Sequence, residues 1–141
     1  MRLTTGRLDS TLLSARNTLT QRTIGPQCSG TTLIDVANMK DGDFAGLVLL
    51  QQKYGFVGVK SDHGSKQVVM INAQSGSAIE AASIPLKQTT IYLKASCDFT
   101  NRADKAYFFY SLDGRKMGTY WHTAANGLYA PPFYGISLWP V

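Results

Sequence analysis

Thr90-Ile91-Tyr92-Leu93-Lys94-Ala95-Ser96-Cys97-Asp98-Phe99 alternates in polarity from one end to the other. Ile91, Leu93, Ala95, Cys97 and Phe99 share one parity, and Tyr92, Lys94, Ser96 and Asp98 the other. Successive side chains of a strand point to opposite faces, so this stretch is a strand with one face in a core and one in water. Downstream, residues 101–104 turn the chain into a second strand at 105–112, which Asp113-Gly114 ends. Upstream, strands are predicted at 11–15, 18–22, 31–36, 44–52, 56–60, 66–73 and 77–83. They are punctuated by Arg16-Asn17, Gly25-Pro26, Asp41-Gly42, Tyr54-Gly55, Asp62-His63-Gly64 and Ser75-Gly76. Strands spaced about every ten residues, with Gly and Asp at the turns, predict an all-β sandwich or barrel.

The 141 residues make one domain, and 44% hydrophobic residues argue against disorder. No apolar run is long enough to span a bilayer, so no membrane partner is expected. Met1-Arg2-Leu3-Thr4-Thr5 carries no apolar core of a signal peptide, so secretion through this segment is not expected and localisation stays open. The net charge is +5, yet Arg7, Arg16, Arg22, Lys53, Lys60, Lys66, Lys87 and Lys94 are scattered singly. Nucleic-acid binding normally draws on a basic patch or stripe, so no nucleic-acid partner is expected. Cys28 and Cys97 show neither metal-ligand spacing nor a CxxC arrangement. Cys97 reads as a small buried hydrophobe, and a disulfide between the two stays open.

Hydrolysis by paired carboxylates needs two of them facing each other across the scissile bond. Glu80 is the sole Glu, and Asp41, Asp43, Asp62, Asp104 and Asp113 sit in turns, where such side chains bond local backbone. Asp35 and Asp98 lie in or at the end of strands as outward polar positions. His63 falls in a turn and His122 near the end of the chain. No GxSxG elbow occurs, and Gly55-Phe56-Val57-Gly58 is not a phosphate loop. No catalytic residue, metal site or cofactor is therefore expected. Tyr54, Phe56, Tyr92, Tyr107, Phe108, Phe109 and Tyr110 serve either core and interface packing or a flat platform for pyranose rings. Tyr54 and Phe56 are the candidate sugar-contacting pair. In Tyr107-Phe108-Phe109-Tyr110, half the rings must point each way.

Three segments carry a resemblance. The first is Leu13-Ser14-Ala15-Arg16-Asn17-Thr18-Leu19-Thr20-Gln21-Arg22, followed by Gly25-Pro26-Gln27-Cys28. The second joins Met39-Lys40-Asp41-Gly42-Asp43-Phe44-Ala45-Gly46-Leu47 to Tyr54-Gly55-Phe56-Val57-Gly58-Val59-Lys60. The third is Tyr107-Phe108-Phe109-Tyr110-Ser111-Leu112-Asp113-Gly114-Arg115-Lys116. Together, over residues 2–116, they resemble the β-sandwich that follows the five-bladed propeller in family 43 glycoside hydrolases. The resemblance implies a concanavalin A-like jelly-roll β-sandwich over 1–116, incomplete because the family's first strand normally precedes Arg2. It implies a bacterial parent acting as a β-xylosidase or α-L-arabinofuranosidase on plant hemicellulose. The parent's catalytic carboxylates lie upstream in the propeller, so this chain alone is expected to be inactive. The implied partners are that propeller and hemicellulose oligosaccharides. The alternative is a free-standing lectin-like module for xylan or arabinan. Arg16, Asn17, Gln21 and Arg22 form a polar run expected to face the propeller; the other reading is a solvated strand face.

Residues 117–141 differ from the rest. They contain no Asp, Glu, Lys or Arg, and hold Trp121, Trp139 and three of the five Pro. The resembled family continues past its Asp-Gly hairpin with Lys-Trp and a pattern like PIGxxLxMxYTLPHFxGYRFGLF. Back-translated and read one base out of phase from Lys116, the codons of this chain permit that Trp and, from Tyr129 onward, TLPHFTGYRFGLF without a gap. One extra base at the Lys116 codon accounts for this. The expectation is an irregular, out-of-frame tail over 117–141 and a sandwich that lacks its last strand.

Overall fold

The computed structural model describes residues 11–15, 17–50, 53–102, 105–115, 120–123 and 135–140. The strands are β1 (Leu19–Arg22), β2 (Gln27–Asp35), β3 (Phe44–Leu50), β4 (Tyr54–Asp62), β5 (Ser65–Asn72), β6 (Ile79–Leu86), β7 (Thr90–Asp98), β8 (Lys105–Ser111), β9 (Tyr120–Thr123) and β10 (Gly135–Pro140). They form a six-stranded sheet in the order β1-β10-β3-β4-β5-β6 and a four-stranded sheet in the order β2-β7-β8-β9. Every neighbouring pair is antiparallel. Two sheets with their inner faces packed together form the all-β sandwich that the alternation and turn spacing predict.

The stretch at 90–99 is β7, and its parity is as read: Ile91, Leu93 and Ala95 are fully buried and Cys97 nearly so, while Tyr92, Lys94, Ser96 and Asp98 are half-exposed. Residues 11–15 differ from the predicted strand. Leu12–Ser14 is one 3-10 turn, closed by the Ser14 and Ala15 amides donating to the Thr11 and Leu12 carbonyls. The Ser14 hydroxyl also donates to the Thr11 carbonyl at 2.9 Å. Such local hydroxyl bonds compete with a sheet ladder. β2 begins well before residue 31, because its ladder with β7 runs unbroken from Gln27↔Asp98 to Asp35↔Thr90. Ser29 and Gly30 have low strand propensity and hide that start in the sequence.

The main core lies between the sheets. Leu47, Leu49, Val57, Val59, Val68 and Met70 of the larger sheet meet Ile91, Leu93, Ala95, Cys97, Ala106 and Phe108 of the smaller. The larger sheet is apolar on its outer face too, where Val48, Phe56, Val69 and Leu12 form a second cluster. This explains why the 44–50 run lacks alternation: Ala45–Leu49 is buried throughout. Gly46 and Gly58 are cross-strand partners, and the Phe56 ring lies across them. A Cβ on Gly58 would strike the Phe56 ring and the Ala45 carbonyl, and one on Gly46 would meet the Val57 carbonyl and come within 2.8 Å of the Phe56 ring.

The expectation of an irregular 117–141 does not hold at two stretches. β9 pairs with β8, and β10 lies between β1 and β3 in a continuous register from Gly135↔Leu50 to Pro140↔Ala45. The physical reason is the slot itself. The inner edge of β3 presents unpaired backbone donors and acceptors, and a ladder partner satisfies them whatever its side chains. The rest of 117–141 lies outside the described residues.

Gly58→Ala should destabilise the chain by about 1–3 kcal/mol through overpacking against Phe56. Denaturant unfolding reads this as a lower midpoint at unchanged slope; an unmoved midpoint would show that the ring does not need the glycine pair.

Candidate functional site

Two groups of residues singled out in the sequence, the polar run and the aromatic set, take definite places, and strand register builds one further surface. The first is β1, at the edge of the six-stranded sheet. Arg16 lies outside the described residues. Asn17 is half-buried, and Gln21 and Arg22 are exposed on a strand exposed along its whole length. Leu19 and Ile24 flank them at 52% and 71% exposure, so the strip mixes large apolar groups with amide and guanidinium donors. Leu12 and Ala15, just upstream, pack on the outer cluster, and the Thr18 hydroxyl donates to the Ala15 carbonyl at 3.1 Å. Leu19 and Ile24 were not singled out in the sequence, where an exposed apolar residue in a strand looks like a core one.

The second is the aromatic set. Phe56 is 0% exposed. Its place as a sugar contact is therefore corrected: an even position of β4 that looks outward by parity faces a second apolar cluster and not water. Tyr54 is half-buried against the same cluster, and burial raises its hydroxyl pKa. The rings at 107–110 do divide by parity. Phe108 is fully buried and Tyr110 packs on the main core, whereas Tyr107 and Phe109 are half-exposed on the opposite face of β8. Lys94 holds its ammonium 5.8 Å above the Phe109 ring centroid.

The third surface was not foreseen. An open groove of about 490 Å³ crosses β2, β7 and β8, lined by Gln27, Ser29, Ser96, Asp98 and Tyr107, with Cys28 and Cys97 completing the lining. Register assembles it: Gln27 lies opposite Asp98, Ser29 opposite Ser96, and Ser96 in turn opposite Tyr107. The Asp98 carboxyl is held below the usual carboxylate range, first by the Thr100 hydroxyl and amide, then by Gln27 and the Lys105 charge. Its Oδ1 accepts the Thr100 amide at 2.9 Å. An ionised carboxylate, an amide, two hydroxyls and a half-exposed ring offer acceptors, donors and one flat apolar surface to a small polar ligand.

Among the described residues, the other carboxylates are engaged by backbone amides or a lysine. Asp35 accepts the Ala37 amide, Asp43 the Lys40 amide, Asp41 the Gly64 amide and Asp113 the Arg115 amide. Lys60 lies 3.5 Å from Asp62 and 4.0 Å from Glu80. Asp104 and His122 lie outside the described side chains. Among the described residues no three His, Cys, Asp or Glu side chains gather as a metal site.

Two antiparallel sheets in this order define a concanavalin A-like sandwich. The family described as "Beta xylosidase C-terminal Concanavalin A-like domain" matches residues 1–134, and the chain belongs to it. That match runs beyond residue 116, where the resemblance read from the sequence stops. Among solved structures, a bifunctional GH43-CE protein of Bacteroides eggerthii is 45% identical, with a TM-score of 0.87 over 97% of this chain and 18% of its own. A GH43 glycoside hydrolase engineered to display both endo-xylanase and exo-arabinofuranosidase activity is 28% identical, with a TM-score of 0.77 over 96% of this chain and 30% of its own. A mutant of the GH43 protein BlXynB from Bacillus licheniformis shares the fold at 15% identity and a TM-score of 0.68, over 91% and 26%. This chain thus spans less than a third of each of these larger proteins. No curated protein matches it.

Proposed function

We propose that this chain is the non-catalytic sandwich of a hemicellulose-degrading enzyme, built to pack against a catalytic propeller that acts on xylosyl or arabinosyl linkages. The observation that carries this reading is the β1 strip. Leu19 and Ile24, exposed beside Asn17, Gln21 and Arg22, have the composition of an interface: large apolar groups set among amide and guanidinium groups. Among the described residues, Asp35, Asp41 and Asp43 accept backbone amides and Asp62 and Glu80 lie near Lys60, which supports a non-catalytic role. The purified chain should release no nitrophenol from aryl xylosides or arabinofuranosides. Mixed with the separately expressed catalytic domain of its parent, it should associate, and Arg22→Glu with Ile24→Asp should weaken that association at least tenfold. Release of nitrophenol that is lost on mutating one of the chain's own Asp residues would overturn the reading.

The groove favours a second reading, a lectin-like module for xylan or arabinan. Tyr107 supplies a face for a pyranose or furanose ring, and Asp98, Gln27 and Ser96 supply the hydroxyl partners. Titration calorimetry with xylo-oligosaccharides and arabino-oligosaccharides should give heats that vanish in Tyr107→Ala; equal heats in both proteins would remove the groove from consideration.

We infer, too, that the reading frame is shifted after Lys116. Codon for codon, the out-of-phase GYRFGLF falls on residues 135–141, the stretch that supplies β10. The coding DNA should then read ATA at Ile136 and TCG at Ser137, the codons that the shifted Tyr and Arg require. Deleting one base at the Lys116 codon should raise the melting temperature. Any other Ile codon at 136 rules the inference out.

A further inference from the structure

Cys28 and Cys97, far apart in sequence, are Cα partners across β2 and β7. The Phe99 amide donates to the Pro26 carbonyl at 2.8 Å. Hydrogen-bonded pairs recur every second residue, which puts Cys28 opposite Cys97 in the same phase. Such pairs hold their Cα atoms about 5.5 Å apart, within the usual span of a disulfide. Their side chains share a face: Cys97 is part of the main core and Cys28 packs against it. Neither thiol is in a disulfide, and Cys28 is near enough to help raise the pKa of Cys97. No metal-ligand cluster accounts for the pair among the described residues.

We propose that Cys28 and Cys97 are a redox-sensitive pair, closed to an intramolecular disulfide by small hydroperoxides and reopened by thiols. The two sulfurs have unequal parts. Cys28 is half-buried on β2, which stands at the end of its sheet among the described strands, and is the residue a hydroperoxide reaches. Cys97 is 4% exposed, and burial beside Cys28 pushes its pKa up to about 12, so it resolves and does not initiate. In the first step the Cys28 thiol takes the terminal oxygen of the hydroperoxide as the O–O bond breaks, giving a sulfenic acid and releasing water from hydrogen peroxide or the alcohol from an organic hydroperoxide. In the second the Cys97 sulfur attacks that sulfenic sulfur and expels its hydroxyl group, which leaves as water with the Cys97 proton. One peroxide is reduced, two thiols are oxidised, and no other reactant is needed. The new bond closes a loop holding β3, β4, β5 and β6, which are four of the six strands of the opposite sheet. Closing so long a loop constrains the unfolded chain most, so the oxidised form melts higher.

The test uses the full chain, reduced and then treated with hydrogen peroxide. Intact mass should fall by two hydrogens, both thiols should disappear from titration under denaturing conditions, and peptide mapping should join Cys28 to Cys97. The chain should stay monomeric on a non-reducing gel, melt at a higher temperature than the reduced form and recover both thiols with dithiothreitol. In Cys28→Ser, Cys97 should remain a thiol at the same dose. In Cys97→Ala, dimedone should trap Cys28 as its sulfenic acid. If the alanine variant does not fold, the wild-type map and Cys28→Ser still decide. Oxidation of Cys28 to a sulfinic acid beside a persisting Cys97 thiol, or disulfides between chains, would overturn the proposal.

Discussion

Phe108 lies over Gly55, and the separation of the two sheets depends on that contact. A Cβ at position 55 would come within 2.8 Å of the ring. With the glycine there, the ring fills the space between layers and is fully buried. Its neighbours on the smaller sheet are correspondingly small: Ala95 is its strand partner, and Cys97 pairs with Ala106 beside it. The larger sheet answers with branched residues, Val57, Val59, Val68 and Leu47. Large against small is how facing layers reach crystal-like density without voids. The alternation of β7 follows from the same constraint, because one parity must be apolar and compact while the other meets water.

Legibility in the sequence tracked how many faces of a strand are buried. β7 is covered on one face, so its period of two shows directly. The same holds for the division of residues 107–110, where Phe108 and Tyr107 point opposite ways. β3 and β4 are covered on both faces, and parity there says nothing about exposure. That is why Phe56 looked like an outward ring and is in fact core. The 3-10 turn at Leu12–Ser14 was hidden by Thr and Ser, which suit a strand and a local hydroxyl bond equally. The groove could not be read at all. It arises from register between strands distant in sequence, and a single strand carries no record of its partner.

The two candidate surfaces belong to different sheets. The β1 strip edges the six-stranded sheet, and the groove crosses the four-stranded one. A domain held at the strip leaves chemistry on the other sheet available, so an interface and a ligand groove are compatible in one molecule. Membership of the sandwich family fixes neither surface, since function resides in sites carried by the fold.

β10 separates β1 from β3, so among the described strands β1 reaches its sheet through residues 135–140. On a ribosome, β3 to β6 can pair as successive neighbours while the rest is still being made. β1 is synthesised earlier and has nothing to join until β10 emerges. During that interval its backbone groups and the flank of β3 are open to solvent and to other chains. The strand order therefore places the slowest, most non-local pairing last in time and leaves two ready edges until then. A nascent chain of this topology gains from anything that shields those edges while it waits.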